Sequence, residues 1–263
     1  RAGPDVRVEL FRVPLRAEDG YRYTADTIAP YVTAATRAIV VNSPHNPTGA
    51  VCSRADLEGI VRLAEKHGIF VVSDEAYEHV IYDGREHVSP GSLGYGRVIS
   101  IFSMSKSYAM SGLRVGYLSV DDPLLLERMA KLLRCTINGV NSATQYGAIA
   151  AIEGPQDATR AMAAEYQKRR DILFAALADV EFLHPFRPEG AFYLWARIDD
   201  RWKARDGHSG GWAMTEHLID AAGIGSAPGE VFGPGGEGHV RFAFSCSTDQ
   251  IEAAARKLPS LFY

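Results

Sequence analysis

A lysine in a serine-rich segment, Ser103-Met104-Ser105-Lys106-Ser107, is followed eight residues later by Arg114. That grouping combines an amine nucleophile with the hydroxyl and guanidinium groups that hold a phosphate. Upstream, Ser73-Asp74-Glu75-Ala76-Tyr77 closes an apolar run. A carboxylate there can pair with a protonated ring nitrogen, and the Tyr77 hydroxyl, three residues on, can reach a phenolic oxygen beside it. In Asn42-Ser43-Pro44-His45-Asn46-Pro47-Thr48-Gly49 an asparagine between prolines can present its amide to an anionic oxygen. Arg241 sits inside the mostly apolar run His239–Phe244. A buried guanidinium needs an anion, and a carboxylate fits its fork best.

Each residue also has a plain structural reading. Asn46 could be a turn residue, Asp74 a helix cap, Arg114 a surface-pairing arginine and Arg241 one half of an ion pair within its own domain. Three rival motifs are weaker. Ser103-x-x-Lys106 fits the S-x-x-K of serine β-lactamases, but no S-D-N or K-T-G follows. Gly233 to Gly238 matches G-x-G-x-x-G, yet it precedes a strand and reads as a tight turn. Glu75 and His79 stand four apart with no third metal ligand, so no metal site is expected.

The elements that must position these residues are α/β in pattern. Ala38–Asn42 is short, apolar and β-branched. Ser53-x-x-Asp56 resembles a capping box, Leu57, Ile60, Val61 and Ala64 recur at helical spacing, Gly68 ends the helix and Ile69–Val72 is the next strand. This is one βαβ unit, so Asn46 and Asp74 should leave the same carboxyl edge of a parallel sheet. Val98–Phe102 is a third strand. The return through Val115–Val120 is too short for a helical crossover and should be antiparallel. Helices fill Pro123 to about Ala178, with a break at Gly154-Pro155, and Ala158 to Ala178 is the candidate domain connector. Strands at Gly190–Trp195 and His239–Phe244, with helices near Trp212–Ala222 and Asp249–Leu258, make a smaller α+β domain. Val6 to Val13 reads as a buried strand at the start.

With 46% hydrophobic residues, 28 basic against 32 acidic and no basic run, the chain is read as globular and an unlikely nucleic-acid binder. No apolar stretch approaches the roughly 18 residues of a membrane span. Three scattered cysteines suit reduced thiols, and the protein is expected to be soluble and cytoplasmic.

The segments NSPHNPTGAV, VVSDEAYEHVIYDG, SMSKSYAMSGLRVGY, PEGAFYL and HVRFAFS, in this order, resemble the signature blocks of class I/II, fold-type I aminotransferases. The resemblance implies a pyridoxal 5'-phosphate (PLP) enzyme that moves an amino group between an L-amino acid and a 2-keto acid by ping-pong steps. It implies a Schiff base at Lys106 and Asp74 on the pyridine nitrogen. Asn46 and Tyr77 would bind the 3-hydroxyl oxygen, and Ser103, Ser105 and Arg114 the phosphate. Arg241, with Asn46, would bind the substrate carboxylate. It further implies a cofactor-binding large domain over residues 1–157, a connecting helix and small domain over 158–263, and a homodimer. Family members carry a preceding segment, with a glycine-rich helix start and an aromatic that stacks on the cofactor, that is not in this sequence. A lyase or oxidase using the same cofactor, or a catalytically silent relic, stays open as an alternative.

Overall fold

The computed structural model describes residues 8–204 and 207–262. After the short helix α1 (Ala25–Ile28), strand β1 (Ala38–Asn42) leads through a loop into helix α2 (Arg54–His67) and strand β2 (Phe70–Asp74). The capping box is formed: Ser53 Oγ accepts from the Asp56 N–H at 3.2 Å, and Asp56 Oδ2 accepts from the Ser53 N–H at 2.9 Å. Gly68 ends the helix at φ +65°, where a side chain would be strained. Leu57, Ile60, Val61 and Ala64 are the buried face of α2, and Ile60 and Ala64 share a core with Ile39, Val41, Val71 and Val98.

β1 and β2 run parallel, with Asn42 opposite Asp74, and β3 (Val98–Ser103) adds in parallel with Ile101 opposite Asp74. A four-residue helix, α3 (Met104–Ser107), and a turn lead back into β4 (Gly116–Val120), which pairs antiparallel to β3 and completes the sheet order β1-β2-β3-β4. The expected βαβ unit and antiparallel return are therefore both present.

The expected strand at Val6–Val13 is not. Val6 and Arg7 lie outside the described residues. Val8 to Val13 form no regular element, and Val8, Leu10 and Phe11 are 75%, 71% and 64% exposed. A β-rich run becomes a strand only when a neighbour completes its ladder, and none does so here.

Helices α4 (Pro123–Thr136), α5 (Ser142–Glu153) and α6 (Asp157–Ala178) follow, with an unanticipated break at 137–141 as well as the expected one near Gly154. α4 buries nothing, and Leu124, Leu126, Leu132 and Leu133 are exposed, as are residues 116–119 of β4.

The second sheet is antiparallel throughout, in the order β5-β6-β8-β7: β5 (Leu183–Phe186), β6 (Tyr193–Ile198), β7 (Ala227–Pro228) and β8 (His239–Ala243). Helices α7 (Gly210–Ala222) and α8 (Thr248–Lys257) accompany it. β5 and β7 were not anticipated. Each contains a proline, and both are edge strands, the position in which a sheet tolerates a missing N–H.

The largest core joins α6, β6, β8 and α7 through Leu177, Leu194, Met214, Leu218, Val240 and Phe244, and it takes in Tyr77, Val80 and Tyr82 from the loop after β2. That loop is stitched in place. Tyr82 donates to the Ala191 carbonyl, Ile81 bridges to Gly190, and Arg170 of α6, fully buried, forks onto Asp83 at 2.7 and 2.8 Å. Arg170 also donates to Asp171 at 2.9 Å and to the Pro188 carbonyl at 3.0 Å, and lies 4.8 Å from the Tyr82 ring centre. The second core thus holds in place the segment that leaves the carboxyl edge of β2.

Candidate active site

Because Asn42, Asp74 and Ile101 stand side by side, the loops after β1, β2 and β3 leave the sheet level with one another. Asn42 shapes the first. Its Nδ2 donates to the Asp74 carbonyl at 3.0 Å and its Oδ1 accepts from the Asn46 N–H at 2.9 Å, folding the loop across the strand ends. His45 Nδ1 lies 2.8 Å from Thr48 Oγ1, and burial pushes this imidazole down to about 4, so it is neutral near pH 7. Gly49, at φ +76°, accepts from the Glu189 and Gly190 N–H groups at 2.8 and 2.9 Å. A methyl group there would overlap Pro188 Cβ and stand 2.8 Å from the Gly190 carbonyl oxygen.

At the end of β2 the two adjacent carboxylates have different fates. Asp74 accepts the Ala76 N–H at 3.2 Å. Glu75 is fully buried and accepts from Ser89 Oγ at 2.8 Å, with His87 Nε2 at 2.5 Å. Glu75 is therefore committed to structure. Burial pushes the nearby Glu78 carboxyl up to about 7, with His87 opposing and Glu75 adding to the shift. Tyr77 is buried with its ring edge-on to Phe192 and Tyr193, centres 5.5 and 5.8 Å apart, and its hydroxyl is 3.0 Å from the Tyr193 hydroxyl. Burial first, and then the Tyr193 hydrogen bond, raise its pKa far above the ordinary phenol value.

Lys106 sits in α3, where Ser103 is the cap: its Oγ accepts from the Ser105 N–H at 3.2 Å. The Lys106 Nζ lies 5.6 Å from the Phe192 ring centre and has no carboxylate or hydrogen-bond partner among the described residues. Arg114 is carried back beside this cap by the β3–β4 register, in which Ser103 faces Gly116. It is exposed, adopts φ +54°, and donates to the Ser111 carbonyl at 2.8 Å.

Arg241 arrives from the second sheet. Its guanidinium lies between two rings, 4.1 Å from the centre of Tyr193 and 4.6 Å from that of Phe232, and Nη1 donates to Asn46 Oδ1 at 2.9 Å. Its Nε is buried without a partner. Burial lowers its pKa from the ordinary value, yet a guanidinium stays charged in proteins. A buried cation with a free N–H is a site waiting for an anion.

A continuous chain of contacts therefore runs Lys106–Phe192–Tyr77–Tyr193–Arg241–Asn46–Asn42–Asp74. Ser103, Ser105 and Arg114 border it next to Lys106. Phe192, Tyr193, Phe232 and Asn42 carry no signal in the sequence that marks them for this site. The first two sit in PEGAFYL, where an aromatic pair after Gly-Ala is indistinguishable by pattern from ordinary strand core.

A mostly parallel sheet whose carboxyl edge carries an unpaired lysine, an aspartate and a serine-capped turn, with a second, antiparallel sheet bearing a half-buried arginine with an unpaired N–H, is the fold-type I architecture. The chain belongs to the class I and II aminotransferase family, whose pattern matches residues 5–258, and that family is PLP-dependent. It is 36% identical over 248 residues to the arginine–pyruvate transaminase of Pseudomonas aeruginosa, covering 94% of this chain and 61% of the relative. It is 34% identical over 250 residues to the aspartate aminotransferase of Pyrococcus abyssi, covering 94% and 62%. The solved aromatic aminotransferase of Pyrococcus horikoshii superposes with a TM-score of 0.86 at 34% identity, over 95% of this chain and 66% of that one. The chain thus spans about three-fifths of the length of its curated relatives.

The residues present fit PLP on their own chemistry. The Lys106 amine is unpaired, Asp74 is engaged by one backbone N–H, hydroxyls and a guanidinium border the lysine, and Arg241 keeps a buried N–H in reserve.

Proposed function

We propose that this chain is the greater part of a PLP-dependent aminotransferase that moves an amino group between an L-amino acid and a 2-keto acid in ping-pong fashion. The observation that carries the reading is the Arg241 guanidinium, held between Tyr193 and Phe232 with its buried Nε unpaired, on the same contact chain as the free Lys106 amine. When bound, the cofactor supplies an electrophilic carbonyl and a ring that accepts electrons.

The chain's residues do the rest. Lys106 Nζ would hold the cofactor covalently and, once the substrate amine has displaced it, would be the base that takes the proton from the substrate's Cα and delivers it to the cofactor's C4′. Asp74 pairs with the pyridine N–H and keeps that nitrogen protonated. Asn46 and Tyr77 donate to the 3-hydroxyl oxygen. Ser103, Ser105 and Arg114 hold the phosphate, for which hydroxyls and a guanidinium are the suitable donors. Arg241 takes the substrate carboxylate, and Asn46, already bonded to Arg241, stands between the substrate and cofactor sites.

The wider reading is proposed with it. Residues 1–157 form the cofactor-binding domain, and 158–263 the connecting helix and small domain. The protein works as a homodimer, which the exposed leucines of α4 support. It is cytoplasmic, in keeping with three uncrosslinked cysteines, and no helix among the described residues is long and apolar enough to cross a membrane.

The test is an absorption spectrum of the protein with PLP, before and after a panel of amino acids, together with a keto-acid-dependent amino-transfer assay. Visible absorption that changes with an amino acid, and loss of both absorption and transfer in Lys106→Ala, is the expected result. Full transfer activity in Lys106→Ala would overturn it.

A further inference from the structure

Tyr193 occupies a place that no role above uses. Its hydroxyl is 3.0 Å from that of Tyr77, and its ring face carries the Arg241 guanidinium at 4.1 Å. One side chain thus touches both the tyrosine assigned to the cofactor's phenolic oxygen and the arginine assigned to the substrate carboxylate. We propose that Tyr193 is a positioning residue that couples occupancy of the Arg241 carboxylate site to the hydrogen bond Tyr77 gives the cofactor. The inference rests on the aminotransferase reading.

The physical reason lies in the direction of the shared proton. Two hydroxyls at 3.0 Å share one hydrogen bond, and either can be the donor. If Tyr77 donates to Tyr193, its only proton is spent. If Tyr193 donates to Tyr77, the Tyr77 proton is free for another acceptor, and accepting a bond strengthens the one it gives. A guanidinium over the π face of Tyr193 draws charge from that ring and favours Tyr193 as the donor. Arg241 has Asn46 as its only hydrogen-bond partner among the described residues, so the arriving carboxylate is the main counter-charge it meets. That carboxylate weakens the pull on Tyr193, and the change passes through one hydroxyl to Tyr77. The consequence is that a bound carboxylate alters the protonation of the cofactor–lysine linkage without touching it. Asn46, bonded to Arg241, is a parallel route, so Tyr193 carries part of the coupling.

The experiment is a spectrophotometric pH titration of the cofactor-loaded protein, made as its gene encodes it, with and without saturating propionate or maleate as unreactive carboxylates. It is run on the unsubstituted protein, Tyr193→Phe and Tyr193→Leu. Tyr193→Phe keeps the ring under Arg241 and removes the hydroxyl. A weaker Tyr77 bond leaves more charge on the phenolic oxygen, so the midpoint should rise by roughly a third of a unit, and the carboxylate-induced shift should shrink. The dissociation constant for the carboxylate should stay within about twofold in Tyr193→Phe and rise about 5- to 20-fold in Tyr193→Leu, which loses the ring as well. Equal midpoints and equal carboxylate-induced shifts in the unsubstituted protein and Tyr193→Phe would overturn the inference while leaving the aminotransferase reading intact. Absence of any lysine-linked absorption in the unsubstituted protein would remove the reading itself and this inference with it.

Discussion

Asp83→Asn should loosen the attachment of the Tyr77 loop to α6 by an amount the structure allows to be worked out. The substitution keeps shape and removes the charge that receives both arms of the Arg170 fork, at 2.7 and 2.8 Å. Arg170 is wholly buried and keeps Asp171 and the Pro188 carbonyl, so its charge is left under-compensated rather than bare. Breaking a fully buried pair costs about 3–5 kcal/mol. Asp83 is 41% exposed, so solvent screens its half of the interaction and a loss of about 2 kcal/mol is expected. For a chain of this size that corresponds to a fall in Tm of roughly 4–8 °C. The hydrogen bond to Arg170 holds the Asp83 carboxyl below its ordinary pKa. Its stabilisation is therefore complete above the unfolded carboxylate pKa of about 4 and lost as pH falls through the folded value. Urea unfolding of the two proteins should differ by a constant amount from about pH 5 to 8 and converge below about pH 4. A difference under about 0.5 kcal/mol at pH 7, or one that persists unchanged at pH 3, would refute the argument that this charge pair fastens the loop.

Two further perturbations separate local causes. Gly49→Ala combines a left-handed φ with overlap onto Pro188 and should destabilise by about 3 kcal/mol or more, whereas Gly84→Ala, also left-handed but facing open space, should cost only about 1 kcal/mol in the same thermal melts. His45, pushed down to about 4 by burial, stays neutral while its unfolded counterpart takes up a proton near pH 6.5. Stability should therefore fall as pH drops from about 6.5 towards 4, and His45→Asn should flatten that slope in urea midpoints measured across the range; an unchanged slope would show that other groups set it.

The sequence announces the first sheet well because its signals are local. The apolar run of β1, the Ser53/Asp56 box, the helical stripe of α2 and Gly68 all specify the same βαβ unit, and the structure reproduces it nearly residue for residue. The antiparallel β4 follows from a connection too short to cross over. Arg241 is legible as a cation in need of an anion, because its apolar strand neighbours offer the guanidinium no counter-charge. The failures share a different cause. Val8 to Val13 has strand chemistry but no partner, which is a property of the rest of the fold. β5 and β7 are short and proline-bearing, so their pairing is decided by β6 and β8. Tyr193 looks like core from its pattern and becomes interesting only when Tyr77, more than a hundred positions away, meets it. The threading of Tyr77, Val80 and Tyr82 into the second core is likewise a long-range event with no periodic trace.

The prolines of β5 and β7 do more than mark an edge. Each border of the second sheet is missing a donor that an incoming chain would need, so Pro185 and Pro228 cap the sheet's width and make it a poor seed for fibril growth. Among the described residues, the outer strands of the first sheet, β1 and β4, contain no proline, so the two sheets differ in how their borders are composed.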